Sequence, residues 1–245
     1  MRRFALPIAL LILLAPASSA AAAQKARLMD CESALGQADR FAVFEGRMRS
    51  IPGAERLQMR FTLQVHDQSS QRWRAVPAPG FGRWVSSDAG VSRYVYTKRV
   101  ENLVAPAAYR SVVRFRWLNA RGRRLGADHA HSPTCLQADL RPNLQPLDIQ
   151  VQPGPEATRA TYAIPVANKG RSPAAAFGLV VTVDGQALPP QGVDAIPPGE
   201  RRFVFVEGPR CKPGSTLAVD VDPSGAVDER IEVDNRITRP CPTLS

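Results

Sequence analysis

Apolar residues recur at every second position through much of this chain. Met59, Phe61, Leu63 and Val65 alternate with Arg60, Thr62 and Gln64, and Val113, Phe115 and Trp117 alternate with Arg114 and Arg116. A period of two places one set of side chains on each face of a pleated strand, so both runs predict half-buried β-strands. Trp84-Val85 and the stretch from Val91 to Val100, with Tyr94 and Tyr96, add further strands, separated by turn chemistry at Pro79-Gly80 and Arg121-Gly122. The same period continues in Leu147, Ile149 and Val151, in Tyr162, Ile164 and Val166, in Phe177, Leu179, Val181 and Val183, and in Leu217, Val219 and Val221. Turns are signalled between them at Asn168-Lys169-Gly170, Asp184-Gly185 and Pro198-Gly199, the Asp-Gly pair being a hairpin signal. Helical period is missing, apart from a short turn expected near Val104 to Ala108. The expectation is an all-β protein.

The N-terminus follows a different pattern. Arg2 and Arg3 precede an apolar run from Phe4 to Ala15 and a small-residue stretch from Ala17 to Ala23. That run is shorter than the roughly 20 residues needed to span a bilayer, and it reads as a secretory signal peptide over residues 1–23. Cleavage after Ala20 or after Ala23 fits equally, which leaves about 220 residues, enough for two domains. Two prolines and an asparagine between Leu140 and Pro146 suggest a stiff linker. The division is then 24–139, 140–146 and 147–245, with the mature protein secreted, periplasmic or held at the cell surface.

Charge divides at the same place. From Gln24 to Pro146 there are 20 Lys and Arg against 10 Asp and Glu, and from Leu147 to Ser245 there are 10 against 12; with Arg2 and Arg3 this gives the net charge of +10. Arg110, Arg114 and Arg116 fall on one face of a predicted strand, and the planar guanidinium fork suits carboxylate, sulfate and phosphate. Only four basic residues are lysines, so the excess has a second reading: arginine supplied by a GC-rich coding sequence at indifferent surface positions.

Four cysteines in an exported chain read as two disulfides. Pairing within domains joins Cys31 to Cys135 and Cys211 to Cys241, and the loop-entropy model assigns them roughly 4.7 and 3.5 kcal/mol. The spacings lack the short Cys-x-x-Cys of zinc and redox sites. In Asp128-His129-Ala-His131, just before Cys135, the histidines sit two apart, as a metal-binding pair on one strand face would, but a third well-placed ligand is not evident. Nucleophile elbows, zinc helices, phosphate loops and dinucleotide fingerprints are missing, so no enzyme is expected.

Two resemblances add to this reading. The stretch from Leu103 to Trp117 resembles the approach to strand F of immunoglobulin and fibronectin type III sandwiches, with Tyr109 in the place of the corner tyrosine. The second half resembles the CARDB family, the cell-adhesion-related domains found in bacteria, through Tyr162 to Gly170, Ala174 to Phe177, Ile196 to Gly199 and the tail VDPSGAVDERIEVDN from Val221 to Asn235. The tail departs from the family in Arg230-Ile231, where small polar residues are usual. Together they imply two Ig-like β-sandwiches in tandem and an adhesive or binding role towards a protein or glycan at the bacterial surface or envelope. The alternative is binding of an anionic glycan, lipid headgroup or nucleic acid through the arginine-rich first domain.

The acidic tail allows one cofactor. Asp220, Asp222, Ser224 and Gly225 match the start of a calcium loop, but its twelfth position is Ile231, which rules out an EF-hand. A looser calcium site from Asp228, Glu229, Glu232 and Asp234 is one reading; a turn in which these carboxylates and Asn235 bond backbone amides is the other. No other cofactor is expected.

Overall fold

The computed structural model describes residues 25–243, all strand and loop apart from one 3-10 turn at Gln37–Asp39. The expected signal peptide lies outside the described residues.

The first domain contains β1 (Lys25–Glu32), β2 (Phe41–Arg49), β3 (Arg56–Asp67), β4 (Arg72–Ala75), β5 (Trp84–Ser86), β6 (Arg93–Glu101), β7 (Ala107–Leu118), β8 (Arg124–His131) and β9 (Cys135–Gln137). They form two antiparallel sheets. One runs β1-β2-β6; in the other β3 and β7 are central, β4 and β5 follow each other along the far side of β3, and β8 and β9 along the far side of β7. The inward residues read from sequence meet between the sheets: Met59, Phe61, Leu63, Val113, Phe115 and Trp117 pack with Phe44 and Met48 of β2. Trp117 ties the layers by donating its indole N–H to the carbonyl of Arg49 at 2.7 Å. The disulfide Cys31–Cys135 ties them again, joining β1 of one sheet to β9 of the other.

The segment from Val104 to Ala108 is not a helical turn: the chain bends at Ala105 and Pro106, and β7 already begins at Ala107. The Tyr109 hydroxyl accepts from the Val104 amide and donates to the Val104 carbonyl, both at 3.2 Å, which satisfies two backbone groups that a helical turn would have used otherwise. This is the corner contact the resemblance implied.

The second domain contains β10 (Leu144–Pro146), β11 (Gln150–Pro153), β12 (Arg159–Asn168), β13 (Phe177–Val183), β14 (Gln186–Ala187), β15 (Gln191–Val193), β16 (Arg201–Pro209), β17 (Thr216–Val221) and β18 (Arg236–Pro240). In one sheet β10 and β11 border one side of β12 and β16 borders the other; the second sheet runs β14 and β15, then β13, β17 and β18. Tyr162, Ile164, Leu179, Val181, Leu217 and Val219 fill the space between them. Cys211–Cys241 joins the end of β16 to the end of β18, again linking opposite sheets.

The stretch expected as a linker is in large part built into this second sandwich. Leu144 to Pro146 pair with Val166 to Asn168. Just before them, the amides of Lys169, Arg171 and Arg230 donate to the carbonyls of Asn143, Arg141 and Pro142. Gly170 permits this: a Cβ there would lie 2.4 Å from backbone atoms of Pro142.

Candidate anion-binding face

Strand alternation sends Val113, Phe115 and Trp117 of β7 inward and Arg110, Arg114 and Arg116 outward, as the sequence predicts. Register then decides their company. Arg60 of β3 pairs with Arg114, which pairs with His129 of β8; Gln58 pairs with Arg116, Gln64 with Arg110, and Val112 with His131. Directly opposed residues in an antiparallel pair share a face, so four arginines on two adjacent strands, and both histidines of β8, stand on one outer surface. Trp84 of β5 lies opposite Arg60, and Trp73 of β4 opposite His66.

The tryptophans hold the arginines. The guanidinium carbons of Arg116 and Arg60 lie 3.9 and 5.1 Å from the centroid of the Trp84 ring, and that of Arg110 lies 4.2 Å from Trp73. Two cations on one indole fix planar groups that would otherwise sample many rotamers. Gln64 orients Arg110 further through a 2.9 Å bond to its Nε, and Gln58 accepts from the Nε of Arg116.

Compensating charge is sparse on this surface. None of the salt bridges among the described residues involves Arg60, Arg110, Arg114, Arg116 or Arg124. The buried Nε of Arg60 has no partner. A groove of about 540 Å³ runs over Arg60, Arg114, Arg116, Arg124, Trp84 and His129, and the single carboxylate lining it is Asp128. Partial burial lowers the affinity of Arg116 for its proton, as do Arg60 and Arg124 nearby, and burial does the same to Arg110. The imidazole of His131 is likewise pushed down, first by desolvation and then by Arg110 and His129. A surface that already disfavours its own positive charges gains most from an incoming anion.

All three histidines of the chain, His66, His129 and His131, lie on this sheet. The rings of His129 and His131 are 5.7 Å apart, centroid to centroid, nearly perpendicular. Among the described residues no three His, Cys, Asp or Glu side chains converge as metal ligands.

The four carboxylates of the looser calcium site each have a protein partner. Asp228 pairs with Arg141 at 2.8 Å; Glu229 accepts from the Leu144 amide and from the Asn235 side chain; Glu232 accepts from the Glu229 amide; Asp234 accepts from the Asn143 side chain. Each of these carboxylates thus accepts from the protein's own donors, as a turn requires, and the buried Oδ1 of Asp234 is left without a partner. Asp222, at a positive φ of 46°, starts this loop and accepts from the amides of Ala226 and Val227. Burial raises the proton affinity of Glu229. The side chain of Arg141 also bonds Asp139, and this holds the Asp139 carboxyl below its usual range.

Residues 138–239 match the CARDB family model, and the second domain is a CARDB module. Among solved structures, a domain from a Methanosarcina acetivorans protein assigned to the cell surface is 27% identical, covering 43% of this chain and 94% of that one, with a TM-score of 0.38. The CARDB domain of a Pyrococcus furiosus protein, in complex with di-metal ions, is 19% identical, covering 42% and 90%, with a TM-score of 0.36. The class 5 fimbrial chaperone CfaA is 10% identical, covering 90% and 100%, with a TM-score of 0.29. A search among curated proteins finds no match.

Proposed function

We propose that this is an exported, non-catalytic surface-binding protein whose first domain takes an acidic glycan on the outer face of β3, β7 and β8. The observation that carries the reading is the pairing of Arg60 and Arg116 on Trp84, with Arg114 beside them and no ion pair to any of the three among the described residues. From Arg110 to Arg116 the strand rises about 20 Å. That is a track for a chain with several anionic groups, too long for a single ion. The signal sequence expected at the N-terminus and the two disulfides support a setting outside the cytoplasm. The CARDB module fits the same surface role, with adhesion as the wider context.

The test is titration of the mature chain with sulfated and uronate polysaccharides over a range of salt. Each guanidinium that neutralises an anion should contribute about 0.7 to 0.9 to the log–log salt slope. Arg116→Gln should lower the slope by about 1, and Trp84→Ala should weaken binding by releasing two arginines from their fixed orientation. Salt-independent binding, or full binding by the triple variant Arg60→Gln/Arg114→Gln/Arg116→Gln, would overturn the assignment.

A further inference from the structure

The strand β16 is an open edge. Among the described residues it pairs with β12 alone, with Asn168 opposite Glu200 and Thr158 opposite Arg210 at the two ends of the ladder. The amide of Asn168 donates to the Glu200 carbonyl and that of Arg210 to the Thr158 carbonyl. Because hydrogen-bonded pairs recur at every second residue of an antiparallel ladder, residues 200, 202, 204, 206, 208 and 210 direct their backbone groups to β12. Arg201, Phe203, Phe205 and Glu207 direct theirs to the free edge.

These four residues also form the outer face of the strand. Val204 and Val206 pack into the core, while Phe203 and Phe205 are 43% and 60% exposed, with rings stacked at 6.3 Å. Natural edges are guarded by charge, proline or brevity against pairing with another strand. Here the guards, Arg201 with Arg202 at one end and Pro209 at the other, frame a six-residue opening whose centre is apolar.

We infer that β16 pairs with β16 of a second copy, antiparallel about a two-fold axis at Val204, joining two four-stranded sheets into one of eight strands. The sequence Arg201-Arg-Phe-Val-Phe-Val-Glu207 is self-complementary in that register alone. Phe203 meets Phe205 of the other copy, and Arg201 meets Glu207, on both sides of the axis. The outward backbone groups of these four residues then exchange hydrogen bonds in narrow pairs. Parallel pairing, or a slip of two residues, sets Arg201 against Arg201 or leaves it against Phe205, so charge selects the two-fold arrangement. Inside each copy Glu207 has only a 3.7 Å contact with Arg159, and Arg201 only a distant approach to the Phe203 ring, so both are available.

Sedimentation velocity of the full mature chain at physiological salt, up to about 100 µM, tests this, because an apolar edge pair with two flanking ion pairs should associate in the micromolar range. The wild type should sediment as a dimer. Arg201→Glu and Glu207→Arg, each of which turns two attractions into two repulsions, should weaken association about tenfold or more. The double exchange Arg201→Glu/Glu207→Arg should restore it. A monomer at every concentration, as expected if the edge serves a strand of some other protein, would overturn the inference. So would a dimer that all three variants leave unchanged.

Discussion

Glu229→Ala is the substitution with the clearest expected cost. The carboxylate is 1% exposed and accepts from two donors far apart in sequence, the Leu144 amide in β10 and the Asn235 side chain at 2.8 Å. Truncation to alanine leaves both donors without a partner, at about 1 to 3 kcal/mol each, and opens a cavity besides, so the loss should be on the order of 3 to 5 kcal/mol. Glu229→Gln should cost only about 1 kcal/mol: its carbonyl still serves Leu144, and its amide can donate to the Asn235 Oδ1, which has no partner at present. All three tryptophans, Trp73, Trp84 and Trp117, lie in the first domain. In urea denaturation, circular dichroism should therefore show an early second-domain transition while tryptophan fluorescence stays in place. The pH dependence has a definite sign. Burial raises the folded-state pKa of Glu229 above its ordinary 4.5, so the folded protein holds this proton more tightly than the unfolded chain. Its contribution is fully present below 4.5 and is lost as pH rises through the raised folded value. The gap between wild type and Glu229→Gln should accordingly widen from pH 7 to pH 5. An alanine variant that loses less than about 1 kcal/mol would refute the reasoning, because two orphaned buried donors cannot cost so little.

Two further substitutions probe the first domain. Tyr109→Phe removes the hydroxyl shared by the Val104 amide and carbonyl; at 3.2 Å each these bonds are long, so a loss of about 1 kcal/mol is expected, read from the midpoint of tryptophan fluorescence in urea. Replacing Cys31 and Cys135 together by serine opens a loop of 104 residues and should cost about 4 to 5 kcal/mol, moving the fluorescence transition but not the second-domain transition seen by circular dichroism.

The sandwich was legible wherever one strand face is apolar and the other polar. Met59 to Val65 and Val113 to Trp117 fall into register as β3 and β7, and the outward arginines of β7 could be named from alternation alone. Their partners could not. Arg60, Trp84, Trp73 and the histidines reach that surface through the register of four other strands, which no local period encodes. Likewise β16 alternates two apolar sets, Val204 with Val206 and Phe203 with Phe205, and the period is silent on which set faces the core; the structure buries the valines. In the tail, a carboxylate that would bind a cation and one that accepts from a backbone amide look the same in sequence. Glu229 becomes a partner of Leu144 only because the loop folds back on β10.

The placement of the disulfides also governs how the protein would respond to a pull between its ends. Tension entering at Lys25 crosses from Cys31 to Cys135 through the covalent bridge, and later from Cys211 to Cys241, so it bypasses the segments enclosed by each bond, with separations of 104 and 30 residues. About 350 Å and about 100 Å of contour are thereby withheld from extension. The outer face of β3, β7 and β8 lies almost wholly within the first of these shielded segments. Whatever is bound there would be held by a part of the chain that force cannot lengthen, while β10 to β16, between the two bridges, would be the stretch to give way.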